Sequence, residues 1–170
     1  MADRVNRKSY QRGLPKKRIS AGCLFFDEAG RLLIVNPTYK DGWEIPGGVV
    51  EANESPRDGC AREIREELGL DRPPVALLCV DFTPETADRT ESLNFIFYGG
   101  VLSAEEIAAI RLPEKELSEF RLLEPEAALA LLKRRLRRRL RRCLPQITAG
   151  SPVYLEDQDS PWPVDPPDVR

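Results

Sequence analysis

The sequence predicts an α/β protein in which helices pack on a mixed β-sheet, and three observations lead there. At 170 residues and 19.2 kDa the chain is one domain's worth, by a prior of roughly 100–200 residues per domain. Its 41% hydrophobic content fills one core, and its 32% charged content demands an ionic surface. The elements run hairpin, helix, strands, helix, an order that favours helices on a mixed sheet over a repeated βαβ fold.

The first eighteen residues carry seven basic side chains against one acid, Asp3, without lasting periodicity. They read as a basic flexible arm. Ile19 to Phe26 and Arg31 to Val35 are largely apolar and partly β-branched, and Asp27-Glu28-Ala29-Gly30 between them is turn chemistry; a β-hairpin is expected. After a loop from Asn36 to Gly42 comes Trp43-Glu44-Ile45-Pro46-Gly47-Gly48. Its proline and paired glycines let the backbone bend sharply and approach another group closely.

Ser55-Pro56-Arg57-Asp58 opens a helix, with Ser as N-cap, Pro at the first helical position and an acid three residues after the cap. It should run to Leu68, with Gly69 as its left-handed terminator. Strands are expected over Val75 to Phe82, Leu93 to Val101 and Glu119 to Leu123. Leucines at 129, 132, 136 and 140, spaced by three and four, predict one last helix from Pro125 to about Leu144. Beyond Gly150 the chain is Pro-rich and acidic, a tail over 151–170 that is disordered or laid on the surface. The domain proper is thus 19–150.

The chain has no histidine. This excludes Ser-His-Asp and Cys-His triads, a histidine base and a His-bearing zinc site. Cys23, Cys60, Cys79 and Cys143 form no C-x-x-C pair and read as buried free thiols. No apolar run approaches the roughly 18 residues of a membrane span, and a cytoplasmic protein is expected.

Glu63, Glu66 and Glu67 stand at i, i+3 and i+4 of the first long helix, which gathers three carboxylates on one face. Cys60, Ala61, Ile64 and Leu68 form the adjoining apolar stripe, so the acids project from a fixed platform. Like charges so placed want a cation. Oxygen ligands without nitrogen or sulfur beside them select Mg²⁺, with Mn²⁺ as a substitute, and Mg²⁺ in turn suggests phosphate. An ordinary solvated face, with Arg62 and Arg65 among the acids, is the competing reading of the helix alone.

The whole stretch decides between them. Gly48, five residues, Glu54, seven residues, then Arg62-Glu63-Ile64-Arg65-Glu66-Glu67-Leu68-Gly69-Leu70 resembles the signature of the Nudix hydrolases, matching nine specified positions over twenty-three residues. Asn53 stands where many members have glycine. The resemblance implies an α/β/α sandwich with a mixed sheet and a loop–helix–loop that holds divalent metal against a diphosphate. Carried over by position, Glu63 and Glu67 are the principal metal ligands, Glu66 assists directly or through water, and Gly47 supplies a carbonyl. Glu54 and Arg62 pair and brace the loop against the helix. The general base is one of the motif's glutamates or a glutamate on a later loop, where Glu114, Glu116 and Glu119 are candidates and Glu116 is favoured. The implied reaction is attack of metal-activated water on a diphosphate linkage in a nucleoside di- or triphosphate derivative.

Tyr39, Phe82 and Phe97 are candidates to stack on a base, although core packing is the commoner use of each. Eight of the ten residues from Lys133 to Arg142 are basic. That helix could contact RNA or an anionic surface, or could pair with the chain's own acids. A Nudix-fold nucleotide sensor or RNA-binding regulator is therefore the alternative function, and the intact metal motif argues against it. Many members of the family are homodimers; the residues do not decide the oligomeric state here.

Overall fold

The computed structural model describes residues 7–162. The first six residues of the basic arm, and residues 163–170 of the tail, lie outside the described residues.

A short helix, α1 (Arg7–Arg12), precedes the sheet, and the first strand, β1 (Arg18–Asp27), begins on the last residue of the expected arm. β2 (Leu32–Pro37) returns beside it as the predicted hairpin. The turn is closed by Gly30, at φ +77°, and by Asp27, whose carboxylate accepts from the Arg31 backbone N–H at 2.8 Å and pairs with its guanidinium. β3 (Gly47–Val49) pairs antiparallel with the first half of β1. β4 (Ala76–Thr83) and β5 (Ser92–Leu102) follow, then β6 (Leu117–Leu123), each within two residues of expectation. The strand order is β6-β2-β1-β5-β4, with β1 and β5 parallel and the other neighbours antiparallel.

Side chains alternate across β1, and that alternation builds two cores. Cys23 and Phe25 face one layer, where α2 (Pro56–Leu68) buries Cys60, Ile64 and Leu68. Each of the two aliphatic side chains contributes roughly 1.5–3 kcal/mol by leaving water. Leu24 faces the other layer, with Leu129 of α4 (Pro125–Leu131) and Leu140 of α5 (Arg134–Cys143). The result is an α/β/α sandwich around a mixed sheet.

Besides α1, which lies within the expected flexible arm, three elements depart from the sequence reading. α3 (Ala104–Ala109) was not expected, although Ser103 and Glu106 form a complete capping box. The single helix predicted from Pro125 to Leu144 is two helices, broken at Leu132, whose backbone is extended and bridges Trp43. Leucines spaced by three and four fit either arrangement, and no Gly or Pro marks the break. Finally, the short helix α6 (Gln146–Ala149) leads into a further edge strand, β7 (Val153–Glu156), parallel to β4. The sheet thus continues into the acidic tail, ahead of its proline runs.

All four cysteines are buried and free. Among the described residues no helix is long and apolar enough to cross a membrane.

Candidate active site

α2 is set by its ends. Ser55 Oγ accepts from the Asp58 N–H at 3.1 Å, Pro56 opens the first turn, and Gly69, at φ +70°, closes the last by donating to the Arg65 carbonyl. With Cys60, Ile64 and Leu68 fixed in the core, Glu63 and Glu67 have one direction left, toward β3 and the mouth of a cavity of about 440 Å³.

The two glycines before the helix are required by close approach. Gly47 has φ +140°, and a Cβ there would stand 2.2 Å from the Ala21 carbonyl oxygen; one on Gly48 would stand 2.4 Å from Glu63 Oε1. Gly47 also fastens the site through its N–H, which donates to Glu67 Oε2 at 2.7 Å. The preceding Pro46 carbonyl accepts from Cys23 on β1, so loop, strand and helix lock together. Asn53, the position where glycine is commoner, has φ +65°, a conformation asparagine tolerates better than most side chains.

Arg62 joins the parts. Its Nε donates to Glu54 at 3.0 Å, Nη1 to Glu63 at 2.9 Å and to Glu66 at 2.8 Å, and Nη2 to the Val49 carbonyl at 3.1 Å. The guanidinium holds Glu54 below the usual carboxylate range, and these carboxylates in turn push Arg62 further up. Glu63 and Glu67 go the other way. Burial raises Glu63, and the charges of Glu66 and Glu116 add to it against Arg62. Burial, reinforced by Glu63 and Glu116, carries Glu67 up to about 7 despite the Gly47 N–H.

Glu116 reaches this cavity from the loop before β6, which is tied to the Thr38 loop: Thr38 donates from its N–H to the Glu116 carbonyl and from Oγ1 to the Lys115 carbonyl. Glu63, Glu67 and Glu116 therefore line one cavity; Glu114 and Glu119 do not, and Glu119 pairs with Arg121. Glu66 lies on the same face of α2 but turns outward to Arg62. Among the described residues no three such side chains converge closely enough to enclose an ion as they stand, and Arg62 and the Gly47 N–H engage oxygens of Glu63 and Glu67. The donor chemistry nonetheless fits a hard cation. The candidate donors are all oxygen, and the burial and neighbouring negative charge that raise Glu63 and Glu67 are what a bound cation would offset.

Of the aromatic candidates, Tyr39 lines the cavity, whereas Phe97 is in the core and Phe82 lies under the Lys17 ammonium. Arg18, Lys40, Glu44, Asn94, Phe95 and Arg139 also line it, and none was legible as a site residue. They arrive from β1, the segment between β2 and β3, β5 and α5, and no single local spacing connects them.

Known proteins resemble this chain in sequence and in fold. A stretch of 61 residues is 41% identical to an RNA pyrophosphohydrolase from Halorhodospira halophila, covering 36% of this chain and 34% of that one. A stretch of 56 residues is 41% identical to a MutT-like protein from Streptomyces ambofaciens, covering 33% and 36%. The chain thus matches about a third of the length of these curated relatives. The crystal structure of a MutT protein from Methanosarcina mazei Go1 shares the fold with a TM-score of 0.64 at 23% identity, over 81% of this chain and 99% of that one. The NUDIX domain model matches residues 16–147, most of the sheet and both helical layers, and the chain therefore belongs to the Nudix hydrolase family.

Proposed function

We propose that this protein is a Mg²⁺-dependent pyrophosphohydrolase that cleaves a diphosphate linkage in a nucleoside di- or triphosphate derivative. The observation that carries the reading is the meeting of Glu63 and Glu67, from α2, with Glu116, from a separate loop, in one cavity beside the two glycines. Glu63 and Glu67 would hold the cation, and Glu66 would join them by leaving Arg62 or by acting through water. When bound, Mg²⁺ supplies a polarised water and neutralises phosphate charge. Glu116, which lines the same cavity, would take the water's proton, and Glu54 with Arg62 keeps the loop and α2 in register. Lys40 and Arg18 face the departing phosphate charge, and Tyr39 offers a ring to a base.

The family membership, the RNA pyrophosphohydrolase and MutT-like relatives, and the oxygen-only donor set support this reading. Phosphate and pyrophosphate release across a panel of nucleoside triphosphates, nucleotide sugars, dinucleoside polyphosphates and 5′-triphosphorylated RNA, with Mg²⁺ and with chelator, tests it. Turnover of at least one class that stops with chelator is expected; turnover of none overturns it. RNA binding through the basic helix is the second reading. Its support is weakened by the acids that engage the outer part of that helix: Asp159 takes Arg138 and Arg142, and Glu126 takes Arg141.

A further inference from the structure

The start of α5 is built against its own electrostatics. A helix N-terminus carries partial positive charge and favours acids, yet Lys133 is the N-cap here, Arg134 and Arg135 follow it, the first turn holds no acid and no side chain caps it. These residues open onto a second cavity of about 410 Å³, within the size range of small-molecule sites. It shares Arg18, Glu44, Asn94, Leu136 and Arg139 with the cavity of the glutamates, so the two adjoin. Arg18 and Arg89 complete its basic lining.

Their partners are what separate these cations from the rest of the helix. Among the described residues Arg18, Arg89, Lys133 and Arg134 form no ion pair, and Arg135 reaches Asp157 only at 3.6 Å. Arg89 Nε and Arg135 Nη1 are buried without a hydrogen-bond partner, an arrangement that is costly unless something accepts from them. The acids nearby are engaged elsewhere: Glu44 with Lys40 at 3.3 Å, and Asp81 with Arg139 at 2.7 Å.

We infer that this annex is a second anion site, which binds a phosphate group of the substrate remote from the diphosphate being cleaved. The inference rests on the hydrolase reading above and narrows it: the preferred substrate is a small nucleotide derivative bearing a further phosphate on its sugar or its attached group. The helix N-terminus and the unpaired guanidinium groups receive that phosphate while the glutamates and their cation hold the scissile linkage.

Two measurements test this. The first is calorimetric binding of inorganic phosphate to the metal-free protein, in which Glu63, Glu67 and Glu116 disfavour anions at one end and the cations of the annex favour them at the other. Lys133→Gln/Arg134→Gln, at two exposed positions, should weaken binding about tenfold or more, and Arg89→Gln should do the same independently. The second is KM and kcat for two matched pairs, ADP-ribose with and without a 2′-phosphate, and coenzyme A with and without its 3′-phosphate. The wild type should favour the phosphorylated member of a pair about tenfold through KM, and the double variant should erase the difference. Equal KM within both pairs, together with phosphate binding unmoved by the variants, overturns the inference while hydrolysis itself leaves the enzymatic reading standing. Phosphate binding that the variants abolish, with no turnover of any substrate, keeps the anion site and removes the hydrolase. Loss of binding to a single-stranded RNA oligonucleotide, with the pairs unaffected, overturns the small-molecule assignment in favour of RNA.

Discussion

Helices α2 and α5 are both dense in charge, and they dispose of it in opposite ways. α2 mixes its signs, so one guanidinium, Arg62, gathers Glu54, Glu63 and Glu66 and leaves Glu67 to the Gly47 amide. α5 carries a single sign and depends on other elements for relief. Asp159 in the tail, Glu126 on α4 and Asp81 on β4 supply it for Arg138, Arg139, Arg141 and Arg142. Glu63 and Glu67 of α2, whose titration burial and neighbouring charge shift, line one cavity, and Lys133 and Arg134 at the start of α5, without ion pairs among the described residues, line the adjoining one. The lesson is that charge density marks a functional face only after internal partners have been subtracted.

The comparison breaks most severely at Glu67. Replacing it with Gln keeps the size and an oxygen for the Gly47 N–H but removes the buried charge, and kcat should fall about 10²–10⁴-fold in steady-state assays with Mg²⁺. The fold should survive, and the metal-free variant should melt no lower than the wild type.

On α5 the corresponding break is Asp81, fully buried, whose two oxygens hold Arg139 Nε at 2.7 Å and the Gln158 N–H at 3.0 Å. Asp81→Ala strands a largely buried guanidinium and unfastens both α5 and the segment after β7. A loss of about 3–5 kcal/mol is expected, read by urea unfolding.

Arg62→Met tests whether one cation keeps the α2 acids in order. Metal affinity or activity should drop about 10–100-fold, or about 1.4–2.7 kcal/mol at 1.36 per tenfold, as seen by Mg²⁺ titration of activity. The corresponding loss for Glu54→Gln should be smaller, since Glu63 and Glu66 would keep their partner.

The mildest test is pH. In the metal-free protein Glu67 titrates near 7 instead of its ordinary 4.5, because burial and the charges of Glu63 and Glu116 disfavour its ionised form. Between those values the folded chain holds a proton that the unfolded chain has released, so stability falls as pH rises through that window. Thermal melts in chelator from pH 4 to 8 should show the decline, and Glu67→Gln should flatten it. Mg²⁺ should flatten it too, by favouring the ionised carboxylate.

Legibility followed the range of the interactions. The ends of α2 were readable because Ser55, Pro56 and Gly69 act on their own backbone, and the glutamate face because it is set by 3.6 residues per turn. Strands β1, β2, β4, β5 and β6 showed as apolar runs because both faces of the sheet are covered. The break at Leu132 was hidden because its cause, the bridge to Trp43, lies about ninety residues away in sequence. β7 was hidden for a similar reason: a four-residue edge strand is held mainly by its neighbour, β4. Glu116 was only one of three acids on a loop until the Thr38 contacts fixed where that loop sits.

What the sequence by itself determined is the inventory and its spacing: three glutamates on one face of a capped helix, two glycines ahead of them, and no histidine for a triad or a His-bearing zinc site. These are local facts, settled by backbone geometry and composition. Only the tertiary structure decided which charges are spent and which are available, because a charge is neutralised by whatever the fold brings within a few ångströms of it, and those partners lie anywhere from one to seventy-four residues away along the chain.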